Sequence, residues 1–202
     1  MTHAPDTPDP LVDTLRARVR GPVLTPRDGG YDDARSLWNA MIDRRPRAIV
    51  RCLGTADVVA CVAAAREQQV LLSIKGGGHN IAGLAVCDNG LLLDMSLMRG
   101  TWVDAAARRA RVQPGALLGD VDRETQLHGL AAVLGFVSNT GIAGLTLGGG
   151  FGYLSRRYGW TCDTVRAFQV VTADGRLLRA SESEHPDLFL SLIHISEPTR
   201  RS

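Results

Sequence analysis

Hydrophobic residues make up 45% of this 202-residue chain, charged residues make up 22%, and the formal net charge is +2. These values are typical of a globular protein of one large or two small domains, and they argue against a surface built for nucleic acid or membrane binding. The first residues lack the basic and apolar regions of a signal peptide, and no apolar run has the length of a membrane span. We therefore expect a soluble, cytoplasmic protein.

The cysteines do not form a metal-binding or disulfide pattern. No C-x-x-C pair is present, and four cysteines are too few for a disulfide scaffold of this length. We expect free thiols in a reducing compartment and no metal site. The four residues are Cys52, Cys61, Cys87 and Cys162.

The first 45 residues predict an N-terminal extension that contains helices. A Pro/Asp-rich stretch over residues 1–10 is expected to fray, and a short helix is predicted for Leu11 to Arg20. The next predicted helical stretch, residues 31–46, ends at Pro46 because proline opposes helix continuation.

A β-α-β unit follows the extension. Residues 47–52 are apolar and β-branched, which predicts a buried strand, and residues 70–75 predict a second strand. Between them lies an apolar helical pattern with Thr55 as its N-cap. This order allows two parallel strands with a right-handed crossover, and a glycine run begins where the second strand ends.

The second half alternates short strands, helices and glycine-rich loops. Residues 90–96 predict a strand, residues 101–115 two strands joined by a turn, and residues 116–129 an amphipathic helix that ends at Gly129. A hairpin is predicted around Asp174-Gly175, and a helix is predicted with Pro186 in its first turn. The whole pattern predicts an α+β fold with mixed sheets and without internal repeats.

Two glycine-rich loops are the main functional signal. Glycines permit backbone conformations in which successive amide groups converge on an anion, so Gly76–Gly78 suits a phosphate or pyrophosphate. The spacings of the P-loop and of the Rossmann fingerprint are both missing. Two such loops in one domain favour an extended ligand such as a dinucleotide, and the alternative is that the loops pack only on each other. The second loop contains Gly141, Gly144, Gly148, Gly149, Gly150 and Gly152.

Several ordered motifs between residues 46 and 189 resemble a known family. They are "IKGGGHNIAGLAVCDNGLLLDMSLM", "VQPGALLGDVDRET", "GIAGLTLGGGFGYLSRRYGWTCDTV" and "VVTADGRLLRASESEHPDLF". The chain is similar to the N-terminal, PCMH-type FAD-binding domain of berberine bridge enzyme-like FAD-linked oxidases, in the vanillyl-alcohol oxidase / p-cresol methylhydroxylase superfamily. The resemblance implies two small α/β subdomains, about 46–100 and 101–189, in a domain that is incomplete at its C-terminus.

The resemblance implies that His79 bonds covalently to the flavin 8α-methyl carbon, while neighbouring amides hold the pyrophosphate of FAD. Relatives with a second attachment carry a cysteine where this chain has Val137, so a single attachment through His79 is expected. No metal is expected, and the partners are a small-molecule substrate and dioxygen. The implied cofactor-binding residues are Lys75, Gly76, Gly77, Gly78, His79, Asn80, Gly83, Gly115, Thr140, Gly141, Gly144, Gly148, Gly149, Gly150 and Gly152.

The last residues depart from the family pattern. Leu190 to Arg200 matches the translation of a common sequencing adapter, so residues 190–202 are interpreted as a non-native tail. The catalytic base of relatives usually lies in their later part, so the catalytic residues remain unknown. The implied function is the FAD-binding part of an oxidase of an alcohol, sugar or secondary metabolite. The alternatives are a noncovalent flavin reductase domain and a non-catalytic truncated flavin-binding fragment.

Overall fold

The computed structural model describes residues 9–195, with side chains over residues 9–193. Residues 1–8 of the stretch expected to fray and residues 196–202 of the predicted tail therefore lie outside the described residues. The helices are α1 Pro10–Arg18, α2 Tyr31–Arg35, α3 Thr55–Glu67, α4 Leu118–Gln126, α5 Ile142–Leu147, α6 Ser155–Tyr158 and α7 Pro186–Leu190. The strands are β1 Val23–Leu24, β2 Ala48–Arg51, β3 Leu72–Lys75, β4 Leu91–Asp94, β5 Thr101–Asp104, β6 Arg109–Val112, β7 Ala167–Val171 and β8 Leu177–Ser181.

The central sheet has the strand order β1-β2-β4-β3. The predicted β-α-β unit is confirmed in direction, because β2 and β3 both run parallel to β4. The two strands are not neighbours, since β4 lies between them. The antiparallel strand β1 pairs with β2 and makes this sheet mixed, as predicted. The other two sheets are antiparallel pairs, so the prediction of mixed sheets holds only for the central one.

The two predicted hairpins are confirmed. Strands β5 and β6 pair antiparallel, and so do β7 and β8. In the second hairpin Gly175 has a φ of +85°, a conformation that glycine adopts without the cost that a Cβ adds. The helix predicted at Pro186 is also present, with proline in its first turn.

Apolar side chains cover both faces of the central sheet, because the buried strands β2 and β4 are apolar at successive positions. On one face Val50 and Leu93 pack with α1 and α3, and on the other Ile49 and Leu92 pack with Tyr31 of α2. A third cluster joins α4 to the segment before the second glycine loop, through Leu118, Val121 and Leu134.

Two local predictions are wrong. The helical stretch predicted to reach Pro46 ends at Arg35. Beyond Arg35 the chain bonds instead to the first glycine loop, since the Trp38 amide donates to the Gly78 carbonyl at 3.1 Å. Thr55 is the first residue of α3 rather than its N-cap, which is Gly54. The carboxylate of Asp57 accepts a hydrogen bond from the Leu53 amide at 2.9 Å, so Asp57 provides the side-chain acceptor for a backbone N–H group next to the start of α3.

Candidate functional site

The two glycine-rich loops touch each other through their backbones. A Cβ atom built on Gly77 would lie 2.4 Å from the Gly141 nitrogen, and one built on Gly141 would lie 2.4 Å from the Gly77 nitrogen. Neither position has room for a side chain. The structure therefore brings together the two segments that the sequence singled out, and close packing of the loops on each other explains these two glycines.

The first loop presents a run of amide groups without protein acceptors. Within the described residues, no hydrogen bond is formed by the N–H groups of the five successive residues from Gly76 to Asn80. Gly78, with a φ of +72°, curves the backbone here. Successive backbone amides of this kind are the donors that bind anions in turns, so the loop fits a pyrophosphate group. The donor set is therefore suited to a dinucleotide cofactor.

His79 follows this loop and makes two contacts. Its Nε2 lies 3.1 Å from the carbonyl oxygen of Asn139, just before the second loop. Its ring stacks on that of Trp38, with centroids 5.6 Å apart and planes inclined by 19°. A carbonyl oxygen only accepts, so Nε2 carries the hydrogen, and in the neutral ring Nδ1 keeps its lone pair. The structure gives Nδ1 no hydrogen-bond partner among residues 9–193.

Comparison with known proteins identifies the family. A sequence model of the family described as FAD binding domain matches residues 46–181. The chain belongs to this FAD-binding family. It is 38% identical to the (R)-6-hydroxynicotine oxidase of Paenarthrobacter nicotinovorans over 171 residues, which cover 85% of this chain and 37% of that protein.

Solved structures of two relatives share the fold of this chain. The BBE-like 1 protein of Physcomitrella patens matches with a TM-score of 0.86 at 28% identity, over 92% of this chain and 40% of that one. The carbohydrate oxidase of Microdochium nivale matches with a TM-score of 0.85 at 29% identity, over 91% and 39%. The fold is thus that of a PCMH-type FAD-binding domain, as predicted. The chain spans about two fifths of the length of these relatives.

The glycines of the FAD-binding domain divide into crowded and open positions. A Cβ on Gly115 would lie 1.7 Å from the Met95 oxygen, and one on Gly152 would lie 1.8 Å from the Leu134 oxygen. Packing within the protein is enough to explain glycine at such positions. Gly144 differs, because a Cβ there would meet no atom of the described residues outside its own helix within 4 Å. Gly150 is also crowded, Gly148 is moderately so, and Gly149 has a φ of +97°.

Other predicted site residues shape the loops. The Asn80 side-chain oxygen accepts a hydrogen bond from the Leu84 amide at 2.9 Å. Gly83 has a φ of +72°, and the side chain of Ile42 fills the space that a Cβ on Gly83 would need. The Thr140 carbonyl accepts the Leu118 amide at 2.9 Å, which ties the second loop to α4. These contacts give each residue a structural reason to be where it is.

Lys75 is buried beneath the first loop. Its Nζ donates to the Ala34 carbonyl and lies 3.8 Å from the Asp94 carboxylate, which also accepts from Arg51 Nε at 3.2 Å. Arg51, Asp94 and Lys75 stand in register at the ends of β2, β4 and β3. Burial lowers the pKa of Lys75, and the neighbouring Asp94 opposes that effect. The charged end of the lysine is thus committed to the protein, while its Cδ lies 3.7 Å from where a Cβ on Gly78 would be, so the aliphatic part of the side chain borders the loop.

Replacing the central anion of this row should destabilise the FAD-binding domain. In Asp94→Asn, two cations face each other at a buried site, so the free energy of unfolding should fall by about 3 kcal/mol. The fall should shrink as the pH rises through the lowered pKa of Lys75, because the unfolded state then binds more protons than the folded state. Urea unfolding at several pH values measures both effects. The exposed Asp104→Asn is the control, and an equal loss in both variants would contradict the prediction.

Four members of the site region were not assigned to the site from the sequence, which favoured a loop-packing role for Tyr153. Asn139 acts through a backbone carbonyl, which leaves no sequence signal, and Trp38 lies in a stretch predicted as helix. The other two, Phe136 and Tyr153, belong to an exposed aromatic cluster beside the second loop, with ring centroids 4.8 Å apart. Residues 9–193 contain no group of three or more His, Cys, Asp or Glu side chains that could hold a metal ion. None of the helices within residues 9–195 has the length and apolar character needed to cross a membrane.

Proposed function

We propose that the two glycine-rich loops form the FAD site of an FAD-linked oxidase and that His79 tethers the flavin. The observation that carries this proposal is the backbone contact of Gly77 with Gly141, beside five amides that have no acceptor within residues 9–193. When bound, FAD supplies two-electron transfer from a substrate to dioxygen. The amides of residues 76–80 would hold its pyrophosphate, and the other glycines predicted for the site would shape the loops around it.

The contacts of His79 support a single tether through its Nδ1 atom. Asn139 holds the hydrogen on Nε2, which leaves the Nδ1 lone pair as the nucleophile in the neutral ring. In the net reaction a C–N bond replaces one C–H bond of the 8α-methyl group and the ring N–H bond. The two hydrogens, with their electrons, reduce one dioxygen to hydrogen peroxide. Val137 has no nucleophilic group, so a second tether is not proposed there.

The substrate is proposed as an alcohol, a sugar or a secondary metabolite, oxidised with dioxygen as acceptor. This proposal is supported by the names of similar proteins, which include a 6-hydroxynicotine oxidase and a carbohydrate oxidase. No group in the described residues is assigned as the catalytic base. The oxidase proposal thus concerns the whole protein, and residues 1–202 are proposed to contribute its cofactor site.

Denaturation in the presence of FAD tests the cofactor proposal. The 202-residue chain is loaded with FAD, precipitated with acid and washed, and flavin absorbance is measured in the pellet and the supernatant. Flavin that stays with the pellet supports the tether. Flavin that binds to the folded chain but washes away after denaturation would contradict it and would favour the noncovalent reductase alternative.

The chain alone should show no oxidase turnover. It spans about two fifths of its relatives, and no described residue is assigned as a base. We expect FAD-loaded residues 1–202 to yield no hydrogen peroxide above the buffer level with a panel of alcohols and sugars, measured by a peroxidase-coupled assay. A full-length relative with its own substrate is the positive control. Peroxide formation by the chain would show that its own residues complete the catalytic site.

The remaining assignments are proposals of the same kind. We propose subdomains over residues 46–100 and 101–189, with residues 190–202 as a non-native tail. A cytoplasmic location is proposed because Cys52, Cys61 and Cys87 are buried thiols outside any disulfide, as expected in a reducing compartment. Mass mapping of the thiols in protein taken directly from cells tests the location, and disulfides in that sample would contradict it.

A further inference from the structure

Trp38 lies outside residues 46–181, the part of the chain that the family matches, yet its indole stacks on the His79 ring. We infer that Trp38 is a positioning residue that holds the His79 imidazole in one orientation and one tautomer before any cofactor binds. The relevance of this orientation to flavin attachment rests on the proposed function. The orientation itself is a property of the protein alone.

Two contacts in different directions define the imidazole. The indole of Trp38 covers its face at a centroid distance of 5.6 Å, and the carbonyl of Asn139 accepts from its Nε2 edge at 3.1 Å. A histidine side chain rotates about two bonds. A stacked neighbour restricts the plane of the ring, and a hydrogen bond restricts rotation within that plane. The Asn139 carbonyl selects the tautomer with the hydrogen on Nε2, and the Trp38 ring keeps the imidazole in the plane in which that hydrogen bond forms, so Nδ1 stays unprotonated in the neutral ring.

Trp38 is itself attached to the loop that carries His79. Its amide donates to the Gly78 carbonyl at 3.1 Å, and the side chain of Asn39 donates to the Ile81 carbonyl at 3.1 Å. These hydrogen bonds attach the segment of Trp38 to the loop on both sides of His79. The indole therefore keeps its place relative to the imidazole, even though the two residues come from different parts of the chain.

The indole of Trp38 is not part of the hydrophobic core. Its neighbours Leu37 and Ile42 pack against the cluster of Tyr31, whereas Trp38 is 66% exposed. Exposed surface aromatics contribute little to stability unless they make a specific contact, and the contact recorded here is with His79. Removing the ring should thus alter His79 without unfolding the protein. The backbone bond of Trp38 to Gly78 survives any side-chain replacement.

Nitrogen NMR of the full 202-residue chain, labelled at histidine, tests the inference without a cofactor. In the wild type, at a pH where His79 is neutral, its Nε2 should give the signal of a protonated nitrogen and its Nδ1 that of an unprotonated one. Trp38→Leu keeps apolar bulk but removes the ring, and both signals should move toward the averaged values of a free imidazole. Trp38→Phe should stay near the wild type. The control is Trp102→Leu, at an exposed tryptophan on β5, which should change nothing. Wild-type signals in Trp38→Leu would overturn the inference.

A second measurement separates positioning from a merely structural role. After FAD is added, the rate at which flavin becomes resistant to denaturation should fall about tenfold in Trp38→Leu, the scale of one aromatic contact, and should recover in Trp38→Phe. The reversible affinity for FAD should not change. A loss of affinity with an unchanged His79 spectrum would overturn the inference. If the wild type never tethers flavin but the spectra differ as expected, the tether proposal fails while the positioning inference stands.

Discussion

His79→Ala should abolish the retention of flavin by the denatured chain. The imidazole is the nucleophile in the proposed tether, and alanine offers none, so all of the flavin should move to the supernatant after acid precipitation. Reversible binding to the folded chain should persist, because the amides of residues 76–80 belong to the backbone. Flavin absorbance of the pellet measures the tether, and fluorescence titration of the folded chain measures the reversible binding.

The control for this experiment is His128→Ala, which removes an exposed histidine from the turn after α4. It should retain as much flavin as the wild type. Flavin that stays with the pellet in His79→Ala would contradict the assignment and would point to another nucleophile, of which the buried thiols are candidates. Loss of flavin in both variants would instead indicate a general effect on folding.

The elements that sequence predicted well are those set by local patterns. The hairpin at Asp174-Gly175 follows from turn residues between two apolar runs, and the parallel direction of β2 and β3 follows from the helix between them. The insertion of β4 between those strands could not be predicted in this way. It depends on which strand edges pair across the sheet, and the three consecutive leucines of β4 carry no information about that partner.

The helix predicted up to Pro46 failed for a related reason. Residues 36–45 have helix-compatible composition, but their polar groups bond to the first glycine loop, which lies far along the chain. Tertiary contacts of this kind override a weak local preference. The same contacts place Trp38 on His79, so the prediction that failed and the site residue that was missed have one cause.

The candidate site shows the limit of reading glycines from sequence. Gly115 and Gly152 are required by oxygen atoms that lie less than 2 Å from a would-be Cβ, whereas Gly144 faces open space. Sequence assigned all three to the cofactor, because a glycine needed for packing and a glycine needed for a ligand are the same letter. Only the atoms on the other side of the loop separate them.

That difference leads to the second large effect, in the pair Gly77→Ala and Gly144→Ala. A methyl group on Gly77 would lie 2.4 Å from a backbone nitrogen of the second loop, which cannot move aside as a flexible side chain would. The loops must separate, so the free energy of unfolding should fall by about 3 kcal/mol, the upper end of overpacking costs. Reversible FAD binding should be lost with it, because the proposed FAD site uses both loops. Urea unfolding and FAD titration, each in a His79→Ala background, measure the two effects.

Gly144→Ala is the matched variant in the other loop. Among the described residues the methyl group meets no atom outside its own helix, and it replaces a helical glycine, so the free energy of unfolding should stay the same or rise by up to about 1 kcal/mol. If FAD lies against this open position, the methyl group occupies cofactor space and weakens reversible binding about tenfold or more, which corresponds to about 1.4 kcal/mol. If the loops pack only on each other, Gly144→Ala binds FAD as the parent does. Unchanged affinity in this variant would therefore remove Gly144 from the FAD site. A joint loss of stability and FAD binding in Gly77→Ala would still show that the two loops form one structural unit.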